Sequence, residues 1–136
     1  MYIQNIYTLL AQAAIDIAVA GPYHGAKIAL FTNNQNPSRS DVLSSYTVAD
    51  FGGLTNEQSI TWGTPFLNGN QQAEVLGGLM SWLTTSTTGL PVTAYGYVIV
   101  DTTGAILLLA EKFATPVTFG ASGNSFSLIP RLVYAN

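Results

Sequence analysis

The stretch "YGYVIVDTTGAILLLAEKF", residues 95 to 113, decides how this chain folds. It predicts two antiparallel strands joined by the loop "DTTG", in which the glycine suits the left-handed residue that closes a tight turn. With a loop of those four residues, Val100 faces Ala105 and Tyr97 faces Leu108. The stretch therefore predicts a β-hairpin, with Gly104 at a positive φ.

Both faces of this hairpin are apolar. In the first strand Tyr95, Tyr97 and Ile99 line one face, while Val98 and Val100 line the other. An antiparallel sheet in a small protein usually packs one face on the core and shows the other to water. A second cover is therefore expected, and the candidates are an N-terminal helix or a neighbouring subunit.

The predicted N-terminal α-helix covers residues 1–20. Its apolar residues recur at three- and four-residue steps, and Gly21-Pro22 supplies a stop. The helix either packs on its own domain or reaches a neighbouring subunit as an arm, and its length and exit favour the arm. The apolar positions are Ile3, Ile6, Tyr7, Leu10, Ala13, Ala14 and Ile17.

The remaining residues, 26–136, alternate between short apolar segments and turn signals. Strands at this spacing predict a mainly β fold, an antiparallel β-sandwich of the jelly-roll or immunoglobulin-like type. Asn68-Gly69 predicts a turn, and Gly77-Gly78 predicts a bulge or bend. The length fits one domain spanning residues 1–136.

The last strand, "SFSLIPRLVYAN", alternates between apolar and polar residues. Phe126, Leu128, Leu132 and Tyr134 share one face. Pro130 has no backbone N–H, so the strand is expected to lie at an edge or to be bulged there.

The chain is apolar and poor in charge. Hydrophobic residues make up 48% of it and charged residues 8%, against roughly 25% charged residues in typical soluble domains. A surface of Ser, Thr, Asn and Gln explains this, and so does burial by partners, which we favour. The sequence therefore predicts a homo-oligomer, with a trimer favoured.

Other partners are not expected. The four basic residues are scattered, so no stripe is available to neutralise a phosphate backbone, and nucleic-acid binding is not predicted. No apolar run reaches the ~18 to 20 residues of a membrane span, and the N-terminus lacks the basic region of a signal peptide. The chain is therefore expected to be made in the cytoplasm, with no membrane partner.

Catalytic chemistry is not predicted either. The chain has no cysteine and one histidine, His24, which follows the Gly-Pro break as a loop residue. No nucleophile elbow or phosphate-binding loop is present, and turn chemistry explains the oxygen-rich loop "NNQNPSRSD" better than a calcium site does. We predict no catalytic, cofactor or metal residues. The carboxylates weighed for a catalytic pair are Asp16, Asp41, Asp50, Glu57, Glu74, Asp101 and Glu111.

Two segments carry a family resemblance. "LFTN" with the later "TVADF", and "YGYVIVD" with the later "LLLAEKFATP", resemble a pattern in small bacteriophage and metagenomic virion structural proteins. The resemblance runs from about residue 26 to the C-terminus. "AEKF" stands where "AERF" is commoner, and "DFGGL" departs from the glycine–tyrosine pair usual after the aromatic residue.

The resemblance implies a virion structural protein and not an enzyme, and it assigns no functional residues. Our first expectation is a capsid decoration (cement) protein on the capsid surface, with the major capsid protein or other virion proteins as partners. The alternative is a tail or head-fibre component that acts as a receptor- or carbohydrate-binding module. Aromatic residues considered for sugar stacking are Tyr23, Tyr46, Trp62, Trp82, Tyr95 and Tyr97.

Overall fold

The computed structural model describes residues 24–70 and 72–134, with the backbone alone at the last position. The predicted helix over residues 1–20 lies outside the described residues. Within them the fold is mainly β, as predicted, with a single short 3-10 turn at Leu43–Ser45. The strands are β1 (Lys27–Phe31), β2 (Gln58–Ser59), β3 (Phe66–Leu67), β4 (Ala73–Leu76), β5 (Met80–Leu83), β6 (Val92–Val100), β7 (Leu107–Phe119), β8 (Ser125–Leu128) and β9 (Arg131–Tyr134).

All strand pairs in the described ranges are antiparallel, which confirms the prediction of antiparallel sheets. A four-stranded sheet has the order β2-β1-β6-β7. The described residues also form a three-stranded sheet, β3-β4-β9, and a two-stranded sheet, β5-β8. The predicted Asn68-Gly69 turn joins β3 to β4, where Asn68 N–H donates to the Gln72 carbonyl at 2.9 Å.

The two smaller sheets follow one another along a single bent ribbon. We call it the long ribbon: residues 73–83, which contain β4 and β5, pair with residues 125–134, which contain β8 and β9. Leu76 pairs with Arg131 and Met80 pairs with Leu128, so three residues, 77–79, oppose two, 129–130. This confirms the bulge or bend predicted at Gly77-Gly78, and Pro130 lies opposite it in the same irregular stretch.

The main core lies between the four-stranded sheet and the long ribbon. Ile28, Leu30 and Ile99 come from the sheet, and Met80 and Trp82 come from β5. Phe126 and Leu128 pack against the same cluster, and Leu132 joins a second cluster with Ala73 and Val75. The predicted inward face of the last strand is thus confirmed for the residues whose side chains are described.

The predicted hairpin register is wrong. Val100 pairs with Leu107, and Tyr97 pairs with Glu111, so the turn spans residues 101–106. One cause is the Asp101 side chain, whose Oδ1 accepts hydrogen bonds from the backbone N–H groups of Ala105 at 3.1 Å and Ile106 at 2.9 Å. The other is an irregularity after the turn, where Val100 pairs with Leu107 and Ile99 pairs with Leu109, so that the register skips Leu108. Gly104 has φ +75° as predicted.

The predicted face of Tyr95 also needs correction. Ala94 pairs with Val117 and Gly96 pairs with Lys112, so four residues of β7, 113–116, oppose one residue of β6. At this irregularity the side chains of β6 change the face to which they point, because Tyr95 lies between two different pairing registers of β6 and β7. Tyr95 therefore packs beside the cluster that holds Val98, and Tyr97 stays in the main core.

The second cover of the hairpin comes from the chain itself. Residues 32–48, which we call the strap, cross the outer face of the four-stranded sheet. Tyr46 of the strap is buried in one cluster with Phe31, Val98 and Val100, and the rings of Phe31 and Tyr46 lie 4.9 Å apart. The strap supplies a cover that the sequence led us to expect from a helix or a neighbour.

Candidate functional surface

The strap is held by hydrogen bonds at its oxygen-rich end. Asn33 Nδ2 donates to the Ser45 carbonyl at 2.9 Å, and Asn33 Oδ1 accepts from the Thr47 N–H at 2.8 Å. Lys112 Nζ on β7 donates to Asn34 Oδ1 at 2.6 Å and to Asn36 Oδ1 at 2.7 Å. These asparagine oxygens therefore bind an ammonium group of the same chain. In the part of the chain that the structure describes, no cluster of three metal-ligating side chains occurs.

Asp41 and Tyr46 fix the middle of the strap. Tyr46 Oη donates to Asp41 Oδ2 at 2.6 Å, and the Ser38 N–H donates to the same oxygen at 3.0 Å. The hydrogen bond from Tyr46 is the largest cause that lowers the pKa of Asp41 below its ordinary value. Burial, followed by the hydrogen bond to Asp41, raises the pKa of Tyr46 to about 12. The pair therefore holds a charged carboxylate and a neutral phenol near neutral pH.

Asn56 joins the strap to the core. It is fully buried and exchanges two hydrogen bonds with the Leu30 backbone, donating to the carbonyl at 2.7 Å and accepting from the N–H at 2.9 Å. Its Nδ2 also donates to the Val48 carbonyl at 3.2 Å, and its own carbonyl accepts from Trp82 Nε1 at 2.8 Å. The side-chain amide of Asn56 thus satisfies groups from β1 and the strap, and its backbone carbonyl satisfies Trp82 of β5.

Glu111 and Lys112 have partners within the chain. Tyr97 Oη donates to Glu111 Oε2 at 2.7 Å, and burial followed by this hydrogen bond raises the pKa of Tyr97 well above its ordinary value. Lys112 points to the strap, as described above. The two adjacent side chains therefore lie on opposite faces of β7, as expected for a strand.

The other residues weighed for catalysis are spread over the fold. His24 is exposed, and its carbonyl accepts from Thr102 Oγ1 at 2.9 Å. Asp50 Oδ1 accepts from the Asn56 N–H at 2.8 Å, and Glu57 pairs with Lys27 at 3.1 Å. Asp16 lies outside the described residues. Each described carboxylate takes part in a turn, the strap or a strand contact.

Most of the aromatic residues considered for sugar stacking lie inside the fold. Tyr46, Trp82 and Tyr97 are buried, while Trp62 and Tyr95 are half-buried. Tyr23 lies outside the described residues. Among the side chains that the structure describes, Phe66 is an aromatic residue exposed on a strand, and sequence reasoning did not single it out.

A row of exposed apolar side chains marks the outside of the long ribbon and its neighbour β3. We call it the outer apolar face. Ala73, Val75 and Trp82 point inward and are buried, so their strand neighbours point outward. The sequence signal for this face is the alternation of the last strand, which places the hydrophobic residues Ile129 and Val133 on the side opposite its inward residues. The members of the face are Phe66, Leu76, Leu79, Leu83, Ile129 and Val133.

The polar groups within this face are paired with one another. Glu74 is buried at the face, beside Arg131 at 3.6 Å and Asn68 Nδ2 at 3.1 Å. Ser81 Oγ and Ser127 Oγ, opposite each other on the ribbon, lie 2.8 Å apart. Covering the face would therefore bury an existing ion pair and would leave no single charge without its partner.

Comparisons with protein-family models, with curated proteins and with solved structures give no match. No helix in the described ranges has the length and apolar character needed to cross a membrane.

Proposed function

We propose that this protein is a bacteriophage virion structural protein, a capsid decoration (cement) protein without enzymatic activity. The observation that carries the proposal is the outer apolar face, where Leu79 is 67% and Ile129 is 53% exposed. A group of exposed apolar side chains on one side of a folded domain, rimmed by polar residues, marks an interaction site. The resemblance of "YGYVIVD" and "LLLAEKFATP" to virion structural proteins supports the same role.

The proposed mechanism is mechanical. The outer apolar face packs against neighbouring capsid subunits and ties them together on the capsid surface. A specific interface buries about 1,600 Å² in total, and repeated contacts around a shell add by avidity. The low charge of the chain suits this role, because removing unpaired ions from water is costly, and the charged pair in the face is already formed.

The proposal also covers the type of β fold. We infer an antiparallel β-sandwich of the jelly-roll or immunoglobulin-like type, with the four-stranded sheet and the long ribbon as its layers. The support is that Ile28 and Ile99 of one layer share a core cluster with Trp82 and Met80 of the other.

The proposal includes self-association, with a trimer favoured. Sedimentation velocity at micromolar concentration is expected to show a defined oligomer. A stable monomer over the whole concentration range would remove the argument that copies of the chain cover one another.

The decisive test is binding to undecorated capsid shells. Leu79 directly precedes Met80 and Ile129 directly follows Leu128, and Met80 pairs with Leu128, so we choose the double variant Leu79→Ser/Ile129→Ser. Each lost apolar contact is worth about 1 kcal/mol or more, so shell affinity is expected to fall at least about tenfold.

Val42→Ser is the matched control, because Val42 is 58% exposed but belongs to the strap. Its shell binding is expected to equal that of the wild type. Normal decoration by the double variant would overturn the assignment of the face.

The alternative, a fibre component that binds a receptor or carbohydrate, differs in copy number and ligand. Mass spectrometry of purified virions is expected to find hundreds of copies, whereas a fibre has few. A glycan array is expected to show no binding, and specific binding of a sugar would favour the alternative.

A further inference from the structure

A groove runs along the edge of the four-stranded sheet. Among the described residues, strand β7 forms this edge and pairs with β6 alone. The groove has a volume of about 470 Å³ and lies between the first residues of β7, 107–110, and the strap residues Pro37, Ser38, Arg39 and Asp41. The β7 side consists of half-buried Leu and Ala residues, and an edge strand also carries unpaired backbone groups. The groove therefore combines an apolar wall with a polar rim.

We propose that residues 1–20 of the same chain occupy this groove, with their apolar side on residues 107–110. This segment has apolar residues at three- and four-residue steps, the pattern of a helix that buries one side. Its one charged side chain, Asp16, is acidic, and Arg39 at the rim is basic. Asp41 also lines the groove, but its carboxylate already accepts hydrogen bonds from Tyr46 and Ser38, so Arg39 is the lining side chain whose charge is opposite to that of Asp16.

The path of the chain favours docking on its own subunit. The His24 carbonyl is bonded to Thr102 in the β6–β7 turn, and Val100 at that end pairs with both Lys27 of β1 and Leu107 of β7. Neighbouring strands are about 4.8 Å apart, so β1 and β7 lie about 10 Å apart there. Residues 21–23 span about 10 Å when extended.

A tether this short gives the segment a high effective concentration at its own groove. The structure therefore points away from the arm that the sequence favoured and towards a cover on the same subunit. This inference does not depend on the virion role, because it concerns contacts within one chain.

Engineered disulfides test the inference directly, because the chain contains no cysteine. Ala110→Cys places one thiol in the groove. It is combined in turn with cysteine at Ile3, Ile6, Leu10, Ala13 or Ile17 on the apolar side. The matched control combines Ala110→Cys with Gln12→Cys on the polar side.

We expect at least one apolar-side pair to form a disulfide within a single chain, and faster than the Gln12 pair. Non-reducing electrophoresis and mass spectrometry distinguish this product from cross-linked dimers. Disulfides only between chains, equal rates on both sides of the segment, or no disulfide with any of the five positions would each overturn the proposal.

Hydrogen exchange gives a second test that needs no cysteine. Removal of residues 1–20 is expected to speed deuterium uptake in residues 107–112 or to unfold the domain, because both follow from loss of a cover on the same chain. A folded deletion variant with unchanged uptake in residues 107–112 would overturn the proposal, whatever its binding to capsid shells.

Discussion

The outer face of the four-stranded sheet and the outer apolar face of the long ribbon both carry apolar side chains, but the first is covered and the second is exposed. Val98 and Val100 on the sheet are at most 2% exposed, because the strap lies over them. On the ribbon the apolar side chains stay accessible. Apolar residues on a strand therefore do not by themselves identify a surface for a partner, since a loop of the same chain covers one of these two faces.

The difference rests on polar side chains. The strap stays on the sheet because Asn56, Lys112 and the Asp41–Tyr46 pair hold it. On the ribbon, Glu74 and Arg131 satisfy each other. The covered face is thus fixed by hydrogen bonds between distant segments, while the open face has its polar groups paired locally.

The largest effect is expected from Asn56→Ala, which removes the link between the strap and β1. The Leu30 N–H and carbonyl lose their Asn56 partners in the core, and each unsatisfied buried group costs about 1 to 3 kcal/mol. We expect a loss of about 4 kcal/mol in the free energy of unfolding, measured by urea titration. The exposed Asn70 serves as the control through Asn70→Ala, and equal small losses for both variants would contradict the role of Asn56.

Gly96→Ala is expected to disturb the covered face from within. A Cβ at Gly96 would lie 2.6 Å from ring carbons of Phe31 and would meet the Glu111 carbonyl oxygen. Overpacking of this kind costs about 3 kcal/mol. Gly69→Ala is the control, because a Cβ there meets no atom within 4 Å. A melting temperature that is the same for both variants would show that β6 and β7 approach each other less closely.

Lys112→Met tests the end of the strap. The loss of hydrogen bonds from a partly exposed ammonium to two asparagines is expected to cost about 1 kcal/mol. Deuterium uptake should rise in residues 33–47. Lys27→Met removes the same charge from an ion pair elsewhere and should leave uptake in the strap unchanged. Equal deuterium uptake in residues 33–47 of the two variants would show that Lys112 does not hold the strap in place.

Tyr46→Phe tests the pH dependence of the covered face. The folded pKa of Asp41 is lowered from 3.8, so its contribution is present above that value and is lost as the pH falls through the folded pKa. The pKa of Tyr46 is raised from 10.0 to about 12, so its contribution is present below 10.0 and is lost as the pH rises towards 12.

The melting temperatures of wild type and Tyr46→Phe are therefore expected to differ most between those limits and to converge at both ends. Thermal melts across the pH range measure this difference. A difference that does not change with pH would show that the phenol contributes through packing alone.

The smallest effect on stability is expected on the open face. Leu83 is 52% exposed, so Leu83→Ser should change the free energy of unfolding by no more than about 0.5 kcal/mol. Urea titration of the dilute protein measures this. A loss of about 2 kcal/mol would mean that this part of the ribbon is covered, and the contrast between the two faces would then fail.

Sequence reasoning succeeded where the structure depends on neighbouring residues. The positive φ of Gly104, the bulge or bend at Gly77-Gly78 and the inward side of the last strand were all predictable. It failed at the hairpin register and at Tyr95, because the Asp101 side chain lengthens the turn and the extra residues 113–116 reset the alternation. For the outer apolar face, sequence reasoning recognised the alternation of the last strand but did not identify the exposed residues of β3, β4 and β5.

The sequence by itself determined that the chain is mainly β, with strands that alternate and turns at its glycine and proline signals, because these features arise from the backbone preferences of adjacent residues. Only the tertiary structure decided what covers each apolar face. The strap reaches the sheet through Asn56 and Lys112, which lie 8 and 64 residues beyond its last residue, Val48. Such contacts form between segments that are far apart in the sequence, so they cannot be predicted from the pattern of neighbouring residues.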